Sequence, residues 1–158
     1  MVWLWVLAAY LAILYLGYRW GGHAGLSDNV LPSSVYAMIS WTTIAYGALL
    51  SGIAAALLVT VARERNRDVL AGSFLSGALG PLLWNAILHR VEGREFFVDA
   101  PVSVIPASWQ DTVSGVFAVA LASVILGFGP LRNGTARRLA LLSLLCGVGA
   151  FLVDVYLY

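Results

Sequence analysis

In the stretch PLLWNAILHRVEG, residues 81 to 93, Asn85, His89 and Glu92 stand at intervals of four and three. On a helix those side chains share one face, because residues three, four and seven apart stack above one another. Imidazole and carboxylate together support two kinds of chemistry. They ligate zinc, iron or copper, with ligand distances of about 2.0 to 2.2 Å. They also exchange a proton with a bound substrate near neutral pH, where a histidine serves as acid or base. His89 and Glu92 are therefore the candidate catalytic pair, with Asp111 as a third member, and His23, His89 and Glu92 form the candidate set for a divalent transition metal. Trp84, Asn85, Asp154 and Asp28 are the candidate ligand-binding residues. The order His-x-x-Glu reverses the Glu-x-x-His of di-iron bundles and occurs once rather than twice, so the spacing alone does not define a metal centre.

The elements that must position these groups are apolar. Of 158 residues, 61% are hydrophobic and 11% charged, where a soluble domain carries about 25% charged residues. This excludes a water-soluble fold and a nucleic-acid partner. The basic residues are all arginine, which excludes Schiff-base chemistry on a lysine amine. Cys146 is the single cysteine and lies in an apolar run, so no internal disulfide forms. No P-loop, dinucleotide fingerprint, serine-hydrolase elbow, paired haem histidines or CxxC site is present.

Hydropathy predicts five spans, at about 2 to 18, 35 to 62, 69 to 90, 111 to 130 and 139 to 158, each near the roughly 20 residues that cross a bilayer core. The fold class is thus an all-α polytopic membrane bundle, and residues 1–158 form one transmembrane domain. The first run has no small-residue cleavage site at its end and is read as a retained span. Ser33 or Ser34 is the expected cap of the second helix, and Ser108 with Asp111 matches a capping box at the fourth.

The two short connections carry Arg63, Arg65, Arg67, Arg132, Arg137 and Arg138 against Glu64 and Asp68; the long connections are acidic on balance. Under the positive-inside rule this puts the N-terminus in the cytoplasm and the C-terminus outside. The Asn133-Gly134-Thr135 sequon then faces the cytoplasm and stays unmodified. Trp3, Trp5, Trp20 and Trp109 fall near span ends, where indoles sit among headgroups. Ser51-Gly52, Ser76-Gly77 and Ser114-Gly115, with Gly80, supply small residues for close helix packing. Pro81, after Gly77 and Gly80, is expected to kink the third helix and free backbone carbonyls just below Trp84 and Asn85.

With this orientation His89, Glu92, Asp111, Asp154, His23 and Asp28 all fall toward the outer leaflet, where ionisable groups are costly and mark candidate sites. Structural roles compete at each position: Asp111 serves as a helix cap, His89 and Glu92 as interfacial hydrogen-bond formers, and Asp28 as a solvated loop charge. Asp154, followed by apolar residues, requires a partner such as Arg19, Asn85 or His89. The segment FFVDAPVSVIP reads as an interfacial loop over the outer helix ends. Three function classes follow. The first is a multi-pass protein of the cell membrane with an extracytoplasmic His/carboxylate site for a metal or for a small, lipid or isoprenoid ligand, extending to a membrane-embedded enzyme. The second is an accessory subunit, self-associating or joined to other membrane subunits. The third is a small transporter or channel, which would need polar groups continuing inward.

Overall fold

The computed structural model describes residues 38–93, Phe96 and residues 107–157. The candidate span at 2 to 18 lies outside these, as do His23, Asp28, Ser33, Ser34 and all of the FFVDAPVSVIP segment except Phe96. The described chain is all-helical: α1 Trp41–Val61, α2 Arg67–Val91, α3 Trp109–Phe128 and α4 Ala136–Leu157. All four are long and apolar enough to cross a membrane.

Local chemistry sets the ends. α1 starts later than hydropathy places it, because Ser40 is extended and its side chain accepts from the Thr43 N–H at 3.2 Å. Asn66 caps α2 by accepting from Asp68 N at 2.9 Å. The capping box of α3 is complete: Ser108 Oγ accepts from Asp111 N, while the Asp111 carboxylate accepts from Ser108 N at 2.7 Å. α2 runs through Pro81 without interruption and closes at Glu92, which adopts a left-handed backbone with φ 52°.

Packing inverts the pattern of a soluble bundle. Leu75, Leu79, Leu83 and Ile87 form an i, i+4 stripe on the outside of α2, while Gly72, Ser73, Ser76, Gly77 and Gly80 are buried. Large apolar groups outward and small groups inward suit a lipid surround, where helices associate by close approach rather than by escaping water. The approaches are tight. A Cβ at Gly77 would lie 2.6 Å from the Ala55 Cβ and 2.7 Å from the Ser51 carbonyl oxygen, and one at Gly80 would lie 2.7 Å from the Ala118 nitrogen.

Each helix packs antiparallel on its chain neighbour, and α4 returns to α1. The result is a closed up-down-up-down ring, as short connections favour. One end holds both short loops and most of the arginines; the other holds the N-termini of α1 and α3 and the C-termini of α2 and α4.

Candidate functional site

The two ends of the bundle differ inside as well as outside. Toward the arginine-rich loops, Val59, Val69, Ala122, Leu126, Leu142 and Cys146 form a continuous apolar cluster. The hydroxyls there and in mid-bundle are mostly satisfied within their own helices: Thr60 donates to Ala56 O, Ser73 to Val69 O and Ser76 to Gly72 O, at 2.7 to 2.8 Å. Such bonds to the carbonyl four residues back let serine and threonine sit in a helix without any outside partner. Ser143 in this half and Ser51 in mid-bundle are the exceptions, with no partner.

The opposite half has its own apolar cluster, Leu50, Ala54, Val153 and Leu157, but sets buried polar groups beside it. Asp154, in the last turn of α4, is 0% exposed. Its Oδ2 accepts from Gln110 Nε2 on α3 at 3.4 Å, a long bond, and its Oδ1 has no partner. The Ser114 side chain, one turn along α3 from Gln110, lies beside the same carboxyl but lacks hydrogen-bonding geometry, and its Oγ is also unpartnered. Asn85 on α2, 0% exposed, donates through Nδ2 to Pro81 O at 2.9 Å and leaves Oδ1 unpartnered. Asp111 lies within electrostatic reach of Asp154 while its carboxylate serves the Ser108 cap. An uncompensated buried polar atom costs about 1 to 3 kcal/mol, and more when charged. Four such atoms near one end, on three helices, Trp84 Nε1 among them, therefore set this region apart.

His89 and Glu92 separate. The His89 Nε2 is 3.0 Å from the Ile39 carbonyl oxygen, and the ring stacks on Trp41 with centroids 4.6 Å apart. Acting as donor, the imidazole holds the segment before α1 against α2. Asn85 does not bond to it, being turned to Pro81. Glu92 is exposed and, as the left-handed cap, has left the helical face that its spacing from His89 implied. Trp84 packs its ring near Phe117 and Phe96, at 5.7 and 5.6 Å between centroids, with its buried Nε1 unpartnered. Among the described residues no group of three or more His, Cys, Asp or Glu is placed to hold a metal ion. His23 and Asp28 lie outside them.

Gln110 is the residue that spacing alone overlooked. A signal for it exists: Gln110, Ser114, Ala118 and Ala122 recur every four residues, a small and polar stripe that faces the interior.

Fold and interior together define the class, a helix bundle with four membrane-spanning candidates. Comparison with protein-family models, with curated proteins and with solved structures gives no match.

Proposed function

We propose that this chain is a multi-pass protein of the cell membrane that binds a small or lipidic ligand at its extracytoplasmic end. The ligand site centres on Asp154, Gln110, Ser114 and Asn85, with Asp111 beside them and His89 and Glu92 at the same end of the bundle. On this reading residues 2 to 18 add a fifth span, the N-terminus is cytoplasmic, and the arginine-rich loops face the cytoplasm, as the positive-inside rule favours.

One observation carries the reading: a fully buried Asp154 with an unpartnered oxygen, beside the unpartnered Ser114 hydroxyl and at the same end of the bundle as Asn85 and Trp84. Ionisable residues at membrane depth are retained where they contact a substrate, an ion or one another. The apolar cluster in the other half weighs against a continuous aqueous path, and so favours a one-ended binding site over a channel.

The test is mass spectrometry of small molecules and lipids extracted from untagged protein, beside Asp154→Asn and Ser114→Ala. The reading expects a defined species in near-stoichiometric amount with the parent and much less with Asp154→Asn. Recovery of bulk lipid alone, in equal amount from all three, would sink it.

A further inference from the structure

We infer that the ligand group held at this centre is a protonated amine, with Asp154 as its counter-charge. This rests on the reading of the Asp154 region as a ligand site and names the chemistry it selects. At the centre itself the unpartnered atoms are Asp154 Oδ1 and the Ser114 Oγ beside it; at the same end of the bundle Asn85 Oδ1 adds an acceptor and Trp84 Nε1 a single donor. An ammonium group presents three N–H donors and no acceptor, which complements the acceptors. Charge agrees with hydrogen bonding. Asp111 adds a second carboxylate nearby, and among the described residues no arginine or histidine is ion-paired with Asp154. A single buried carboxylate without a counter-charge is far costlier than a paired one.

A metal ion fits less well. Hard cations take six or more oxygen ligands, or four with nitrogen and sulfur for zinc. Among the described residues no three His, Cys, Asp or Glu come together to supply the charged ligands of such a set. An amine needs only one carboxylate and two neutral acceptors. Gln110 then has a definite role, since by donating to Asp154 Oδ2 it occupies one carboxylate oxygen and leaves Oδ1 for the ligand. Amphiphilic amines suit the setting, because the alkyl part of the molecule lies in lipid while its head enters the bundle.

The experiment measures binding of decylamine, decanol and sodium ion to the full chain in zwitterionic nanodiscs, by calorimetry and tryptophan fluorescence. Decylamine is expected to bind saturably, at least tenfold more tightly than decanol, and sodium up to about 100 mM is expected not to compete. Asp154→Asn should weaken decylamine at least tenfold. Ser114→Ala, which removes an acceptor without adding bulk, should weaken it several-fold and serves if the Asp154 variant fails to fold. Equal binding of decanol and decylamine, or decylamine binding unchanged in these variants, overturns the amine assignment while leaving a ligand site in place. Sodium competing at low millimolar concentration replaces the amine with a metal cation. Absence of binding by the parent, together with no co-purified species, removes the site itself. Binding of decylamine only after Arg19→Gln would make Arg19 the native counter-charge and overturn the proposal for the intact chain.

Discussion

His89 bonds through Nε2 to the carbonyl of Ile39, fifty residues earlier in the chain, and so fastens the entry of α1 to the last turn of α2. The same ring stacks on Trp41. These contacts give the histidine a positional role, and they decide what its removal should do. A backbone hydrogen bond contributes about 1 kcal/mol and an aromatic stack about 0.5 to 1.5 kcal/mol. His89→Ala should thus lower stability by about 1 to 2 kcal/mol in detergent unfolding, and His89→Gln should recover part of the loss. An unchanged melting curve for His89→Ala would show that the tether carries no weight.

Glu92 should behave in the opposite way. It is exposed and holds a left-handed backbone, where a side chain other than glycine is strained. Glu92→Gln should leave stability and ligand binding unchanged, and Glu92→Gly should raise stability by up to about 1 kcal/mol. Loss of a bound species in Glu92→Gln would instead return the residue to the binding site.

Gly77 is the contact point of α1 and α2. A Cβ there meets both the Ala55 side chain and the Ser51 carbonyl, and helix backbones cannot shift cheaply. Gly77→Leu should destabilise the bundle by about 1 to 3 kcal/mol, the usual cost of overpacking, with Leu79→Ala on the exposed face as a milder control. Equal melting of the two variants would place Gly77 away from the interface.

At the other end, Glu64 joins the α1–α2 loop to α4 by its ion pair with Arg138, and it accepts from the N–H groups of Arg65 and Asn66 at 3.0 Å. The hydrogen bond from Arg138, with these backbone donors, holds the Glu64 carboxyl below its ordinary range, against a smaller opposing effect of burial. The lowered value means that the contribution is full above the unfolded carboxylate range and fades as pH falls through the folded value. Glu64→Gln should therefore melt below the parent at neutral pH, and the two curves should converge under acid conditions. A gap of the same size at every pH would remove the charge from the explanation.

Orientation is open to a direct test in a Cys146→Ala background. Single cysteines at Asn66 and Thr135 should resist an impermeant thiol reagent in intact cells, and one at Arg90 should react, following the arginine bias of the loops. The reverse pattern would turn the bundle over and move the Asp154 centre to the cytoplasmic side.

The parts of the fold that are legible in the sequence are those set by local chemistry and by span length. The Ser108 and Asp111 capping box depends on residues three apart, and the four described helices need only an apolar run of sufficient length. Hydropathy starts α1 several residues early because Val35 to Ile39 are as apolar as a helix interior, and only a long-range partner, His89, shows where the Ile39 carbonyl goes. Helical spacing groups Asn85, His89 and Glu92 correctly only while the helix lasts, and it ends at Val91. Asp154 is legible as a residue needing a partner, but the partner is not. Gln110 is forty-four residues away, and that pairing depends on how α3 and α4 register against each other.

The apolar cluster around Val59, Leu126 and Leu142 also bears on electrical behaviour. A transmembrane voltage falls mainly across the region that excludes water and polar groups, and a full elementary charge crossing it exchanges about 2.3 kcal/mol per 100 mV. In the proposed orientation that drop lies between the cytoplasm and Asp154, so a charge arriving from outside traverses little of it. Occupancy of the centre should then follow the external concentration of its ligand and be nearly indifferent to whether the cell is energised.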